Sequence, residues 1–594
     1  MNYIYKLATF AALLFGALST INAQQIYNAY ESPQPLHEVR AVWLTTIGGL
    51  DWPRIKANDA EGVARQKAEL CHILDSYKRV NINTVIFQTR VRASVLYPSK
   101  IEPWEMCLTG TPNKSPGYDP LKFVIEECHK RGMELHAWVV CIPIGTTERQ
   151  SKYGSSSIVR KNPSLIKSVK GECFMIPGNP ATGDYIARLC REIVENYDVD
   201  GISLDYIRYP ESQYGFSDDN LCPKGRDKAD WKRQNITSIV RKVHDVVKSI
   251  KPWVKLSSSP VGKYRNLKRY SAGGWNCYDA VYQAPQEWLR DNLQDMLFPM
   301  MYFRENNYYP FLFDWLENSY GHPVAPGLGI YFLDPREGKW QLNDVRAEIH
   351  TARNSGIGGV AFYRGEFLSK NTKGLYDACE QEFFPYPALT PVMTWMGKKS
   401  VPEQPAHLSY NEGKLTWSGN APYYNVYGSN TYPVDCTKAE NLLFGRHEGT
   451  TFQVGGRALK MHYFAVTSSD RYGNESEPVQ EYYDGVTIPE SLNVAYLINR
   501  DIKGRPTIKE SSKERKVREK AEKEAAKKAA KEAAKKASKE ASKSNKTSKT
   551  SETSKPLQPS VTTYTVKDAN VKDASTYKPK HKTYTRTVKV KKKK

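Results

Sequence analysis

Residues 199–211 read VDGISLDYIRYPE. From Val199 to Leu204 the composition is that of a buried strand, yet the run stops on a carboxylate, Asp205, and turns at once into Arg-Tyr-Pro. Strands covered on both faces read as near-continuous apolar runs, the mark of a parallel sheet flanked by helices. In such sheets ligands bind beyond the C-terminal strand ends, so Asp205 falls where chemistry is done. Asp200 falls at the opposite end, where a polar cap is the simpler reading.

Seven further runs share this make-up: VRAVWLTT, INTVIFQTR, MELHAWVV, VKLSSSPVG, LFPMMYF, VAPGLGIYF and GGVAFYRG. Between most of them lie segments of helical period, such as DPLKFVIEECHKRG and GDYIARLCREIVENY, several opening on Asp or Asn caps. Eight strand–helix units predict an α/β chain folded as a (β/α)8 TIM barrel over residues 38–385. A doubly wound open sheet fits the alternation but not the unit count.

Three other segments differ in character. Residues 402–483 alternate short apolar runs with Gly, Asn and Pro, which predicts a small all-β sandwich. With Trp417 in an early strand and the run HYFAVTSSDRYGNES, this segment resembles a fibronectin type III domain. Residues 503–594 form a Lys/Ala-rich tail, helix-forming at first and then of disordered composition. Residues 1–23 have the layout of a cleaved secretory signal, and no cysteine follows it to take a lipid. Export to the periplasm, cell surface or medium is the expectation, with no later transmembrane anchor.

The formal charge of +22 belongs to the tail, which holds 30 basic and 10 acidic residues and leaves the rest of the chain at +2. A near-neutral body with an export signal argues against nucleic acid as a partner, although the Lys/Ala repeats resemble linker-histone-like DNA binders. An anionic envelope surface is the expected partner of the tail. The ten cysteines are scattered without metal-ligand spacing, so neither a metal site nor a cofactor is predicted. Cys71, Cys128 and Cys190 read as small buried hydrophobes on helix faces.

Other strand ends are polar as well. Gln88 and Arg90 close the second strand, His136 and Trp138 lie in the third, Tyr302 follows the sixth, and Arg208 and Tyr209 share the loop of Asp205. Aromatic rings beside an acid, arginines and a glutamine suit sugar rings and their hydroxyls. Glycoside hydrolysis usually needs two carboxyl groups. By strand position the partners for Asp205 are Glu305 after strand six and Glu366 after strand eight, with Glu102 after strand two as a third.

The motifs EVRAVWLTT, FQTRVRASVLYPSKIEPWEMCLTG, GYDPLKFVIEECHKRGMELHAWVV, DGISLDYIRYP and FPMMYF together resemble the glycosyl-hydrolase-like family 10 proteins, from about Glu38 to Cys379. The resemblance implies a bacterial barrel glycoside hydrolase, from a group associated with cutting peptidoglycan glycan strands that have lost their peptides. It implies a site containing Gln88, Arg90, His136, Trp138, Asp205, Arg208, Tyr209 and Tyr302. It departs at Ser94 and Ala284, where the family commonly carries acids, and at Ser203, where a histidine is common. Those departures keep a second reading open, a non-catalytic glycan-binding barrel.

Overall fold

The structure, a computed structural model, describes residues 31–270, 273–396 and 400–481. The expected leader and basic tail lie outside the described residues. Eight parallel strands form one sheet: β1 (Val39–Leu44), β2 (Thr84–Arg90), β3 (Glu134–Val140), β4 (Gly201–Asp205), β5 (Lys255–Ser258), β6 (Met296–Leu297), β7 (Gly327–Leu328) and β8 (Gly359–Phe362). Strands consecutive in sequence are neighbours in the sheet, and β8 pairs with β1. Between β6 and β7 the bridges Leu297–Val324 and Met300–Gly327 close the ring. That order excludes an open doubly wound sheet.

Helices α1 (Ala60–Arg79), α2 (Pro120–His129), α3 (Pro180–Asn196), α4 (Lys228–Ile250), α5 (Pro285–Arg290), α6 (Tyr309–Glu317), α7 (Leu342–Ser355) and α8 (Leu375–Ala378) lie between and after the strands. The first four start on Asp59, Asp119, Asn179 and Asp227, each accepting a hydrogen bond from a first-turn amide, which stabilises a helix start by about 1 kcal/mol. Alternate strand residues face two layers. Val42, Phe87, Leu135, Ile202 and Leu204 pack outward on helix residues such as Leu70, Leu74 and Ile186. Val39, Ala41, Trp43, Ile86, Trp138 and Phe298 fill the lumen. Gly201 opens β4 because an added Cβ would lie 2.7 Å from the His136 ring. Gly359 opens β8 at φ 140°, where a Cβ would overlap the Val39 backbone.

One insertion was not legible in the strand pattern. Between β3 and α3 the chain inserts a three-stranded antiparallel sheet made of Pro143–Thr146, Ile166–Val169 and Glu172–Met175. Phe174 of this insertion packs on Tyr214 and Phe216 of the loop after β4, with ring centroids 5.1 and 5.8 Å apart. After the barrel, β9 (Ala406–Asn411), β10 (Lys414–Ser418), β11 (Tyr423–Ser429), β12 (Leu442–His447), β13 (Thr451–Gln453), β14 (Tyr463–Ser469) and β15 (Val479–Glu481) form a three-stranded and a four-stranded antiparallel sheet. Leu408, Leu415, Trp417, Val426, Phe464 and Val466 lie between them. The strand β12 went unread in the sequence.

This sandwich seals the N-terminal end of the barrel. Arg446, on β12, pairs with Asp200 ahead of β4 and, at 3.2 Å, with Glu134 at the start of β3. Lys255 reaches the same Glu134 at 2.6 Å, and His129 holds the other oxygen of Asp200 at 2.8 Å. Asp200 is thus no surface cap but half of a buried ion pair with a residue 246 positions away. Against the cost of burial, Arg446 and His129 keep its carboxyl well below the usual range. Arg471 pairs with Asp198 at 2.7 Å on the same face. All ten cysteines are free thiols, Cys128 and Cys190 buried and Cys71 partly so.

Candidate active site

β4 carries Asp205 to the mouth of the barrel, where only 5 % of the residue is exposed. The indole N–H of Trp138, two residues before the end of β3, donates to its Oδ2 at 3.0 Å. The backbone then turns sharply. Tyr206 sits at φ 49°, a left-handed conformation that a bulky residue rarely adopts, and its amide donates to Asp205 Oδ1 at 2.7 Å. Burial raises the Asp205 carboxyl to about 6, more than Arg208 and the two hydrogen bonds lower it. A carboxyl poised there retains a proton in mildly acid conditions, as a general acid must.

Aromatic rings surround this carboxyl. Tyr302, after β6, stacks on Tyr363, at the end of β8, with centroids 5.2 Å apart and planes at 25°. Trp43 of β1 meets Tyr363 edge-on at 5.9 Å, and Tyr331 meets Tyr302 at 5.8 Å. The charge of Asp205 is felt at both Tyr302 and Tyr363. Arg208 lies between the faces of Tyr206 and Trp275, its guanidinium carbon 4.5 and 4.9 Å from the ring centres. Such rings provide apolar faces for pyranose stacking, and the arginine a cation for hydroxyl or anionic groups.

The structure brings Asp205, Trp138, Arg208 and Tyr302 to the same end of the barrel. The remaining residues turn to other partners. Arg90 is 1 % exposed and turned away: Glu102 takes its guanidinium at 2.6 and 2.8 Å, and the carbonyls of Val140 and Cys141 take the rest. That pairing also withdraws Glu102 from the mouth. Gln88 uses its amide oxygen to brace the loop after β1, accepting from the amides of Thr46 and Ile47 at 2.9 and 2.8 Å. His136 points into the lumen, 3.1 Å from Glu134. Tyr209 lies in the outer layer, its hydroxyl on Asp218 and Asn235.

Of the two partner acids, Glu305 is exposed. Glu366 is held ionised among Arg364, Lys370 and Arg54, whose charges and hydrogen bonds outweigh burial and lower its pKa. Neither has a contact with Asp205 among the described residues. At Ser94 the hydroxyl donates to the buried carboxylate of Glu105, which also accepts from Arg149 and Tyr153. Ala284 is buried at the start of α5. Ser203 faces the lumen with no partner for its hydroxyl among the described residues.

Sequence reading passed over Tyr363, Tyr206 and Glu211. Tyr363 closes an apolar strand as Asp205 does, and the other two stand in the motif itself. Glu211 accepts from Arg208 at 2.8 Å, and its charge reaches Asp205.

Architecture and mouth chemistry together place the protein in the class of glycoside-hydrolase-like barrels. Within that class the chain belongs to the glycosyl hydrolase-like 10 family, whose sequence model matches residues 38–319. Glycosyl hydrolase YngK of Bacillus subtilis is 30 % identical, aligned over 74 % of this chain and 92 % of its own length. Glycosyl hydrolase DigH of Escherichia coli is 33 % identical, over 57 % of this chain and 85 % of its own length. Among solved structures, the PgaB (BpsB) glycoside hydrolase domain from Bordetella bronchiseptica superposes at a TM-score of 0.42, with 14 % identity over 58 % of this chain and 98 % of that domain.

Proposed function

We propose that the protein is an exported glycoside hydrolase that cleaves a glycan at the barrel mouth, peptidoglycan strands being the substrate its family points to, with Asp205 as general acid. The observation that carries this reading is the Asp205 carboxyl: it ends β4, is buried under aromatic rings, and is raised to about 6. Protonated, it would deliver its proton to the leaving glycosidic oxygen while the positive charge grows on the sugar ring. Trp138 fixes the carboxyl plane, and Tyr302 and Tyr363 offer the ring faces on which a sugar would rest. Among the described residues no helix is long and apolar enough to cross a membrane. We further propose that the basic tail retains the protein at an anionic envelope surface, an attraction that salt would screen within roughly 10 Å at 0.1 M.

A non-catalytic glycan-binding barrel is the second reading, favoured by the ion-paired state of Glu366 and the exposure of Glu305. Incubation with glycan strands stripped of peptides, and with other β-linked oligosaccharides, separates the two. A hydrolase releases new reducing ends, and Asp205→Asn lowers that rate by roughly a hundredfold or more while the fold persists. Equal turnover by both forms sinks the assignment of Asp205. Binding without turnover by either supports the second reading.

A further inference from the structure

Arg208 is 4 % exposed, yet only one of its nitrogens is hydrogen-bonded. Its Nη2 donates to Glu211 at 2.8 Å, whereas Nε and Nη1 are buried with no hydrogen-bond partner among the described residues. An unsatisfied buried N–H is costly, and the Asp205 carboxyl, three positions back at the end of β4, lies within the field of this guanidinium. No ion pair joins Arg208 to Asp205 among the described residues, although three positions separate them and the guanidinium field is felt there. Two restraints account for that gap. The guanidinium is clamped between Tyr206 and Trp275, and its Nη2 end is tied to Glu211.

We propose that Glu211 is a positioning residue for Asp205: by tying the Arg208 guanidinium at one end, it holds that cation out of hydrogen-bonding contact with the Asp205 carboxyl. The inference rests on the reading of Asp205 as a general acid. A bidentate arginine would fix Asp205 as a carboxylate, the state in which it has no proton to give. Held at a distance, the same arginine faces the developing negative charge on Asp205 after the proton has left, where it stabilises the ionised product of the step. Glu211 acts in the same direction through its own charge, which raises the Asp205 carboxyl.

The other groups around Asp205 do not substitute for Glu211. Trp138 and the Tyr206 amide are neutral donors. Cys141 from the end of β3, Tyr302 after β6 and Tyr363 at the end of β8 feel its charge but are held protonated by burial. Arg92 acts on Tyr206, and Asp51 and Arg364 act on Tyr363, one residue further out.

The test uses the full-length protein and a reporter independent of activity. The Trp138 indole N–H resonance, assigned by its loss in Trp138→Phe, tracks the carboxyl to which it is bonded. In wild type its pH midpoint should lie near 6, the value to which burial raises the carboxyl. In Glu211→Gln the freed guanidinium closes on Asp205, and the midpoint falls by about one pH unit or more toward the ordinary carboxylate value near 4. Arg208→Gln shifts it upward, and in that background removal of Glu211 has less than half its former effect. The basic limb of kcat/KM moves with the midpoint, so each unit costs about tenfold in rate at neutral pH. If Glu211→Gln fails to fold, Glu211→Asp, which shortens the tether, is read in the same way. An unmoved midpoint in the Glu211 variants, or an undiminished shift without Arg208, overturns the proposal. A midpoint that moves while the rate profile does not upholds the tether and counts against Asp205 as the acid.

Discussion

At the scale of single residues, burial sets the protonation of the Asp205 carboxyl. Held near 6 instead of 3.8, Asp205 binds its proton more tightly in the folded chain than in the unfolded one. Its contribution to stability is full below about pH 4 and declines as pH rises through 6, a loss on the order of 3 kcal/mol. Asp205→Asn removes that loss, so the variant should unfold at higher urea than wild type at pH 8 and at nearly equal urea at pH 4. A variant less stable at both would mark Asp205 as structural. A second acid is buried as well. Glu348 on α7 is 1 % exposed with neither oxygen hydrogen-bonded among the described residues, and burial, aided by Asp344, raises its pKa well above the ordinary value. Glu348→Met should stabilise the fold by about 1–3 kcal/mol at pH 8, and less at pH 5, where the unfolded chain's glutamate is only just above its own pKa and gains little by ionising. Urea titrations at the two pH values check both size and sign.

At the scale of elements, what the sequence discloses depends on how far apart the partners stand. The eight strands were legible because burial on both faces writes itself into every residue of a strand. Asp205 was legible because it breaks that pattern at the end where ligands bind. Arg90 and Glu102 were misplaced for the opposite reason: the strand position of Arg90 says nothing of which way its side chain turns, and a loop carboxylate twelve positions on captured it. Tyr209 follows the motif yet rotates into the helix layer. Asp200 could not be read at all, since its partner Arg446 belongs to another sheet. The pairing of β4 with β12 through that arginine yields an expectation of its own. Arg446→Met leaves Asp200 and Glu134 buried with less countercharge, which costs about 3–5 kcal/mol. Protonation relieves unpaired carboxyls, so the gap from wild type should narrow between pH 8 and pH 4. A gap that holds constant across that range would show that packing, not charge, sets the cost.

At the scale of the whole molecule, the barrel has two ends with opposite duties. The C-terminal end gathers Asp205, Arg208 and the tyrosines, while the N-terminal end is plugged by the sandwich through Arg446, Arg471 and the ring of Phe444 against Lys78. Removal of the segment after Ser400 would take the arginine partners from Asp200, Glu134 and Asp198 at one stroke, leaving Asp200 to His129 and Glu134 to Lys255. A chain ending at Ser400 should therefore unfold at markedly lower urea than the full chain, and its activity should fall with its folded fraction rather than through the site. An undiminished unfolding midpoint would show the plug to be dispensable.

The buried arginine plug also bears on how the two pieces would behave if they were never joined. Attraction that runs through Arg446, Arg471 and a closely fitted Gly132–Gly445 approach does not depend on the peptide bond between the pieces. Barrel and sandwich made as separate polypeptides in one cell should find each other and copurify as a one-to-one heterodimer. The covalent chain would then be only a means of keeping the local concentration high, a tether between two subunits that already know where to dock.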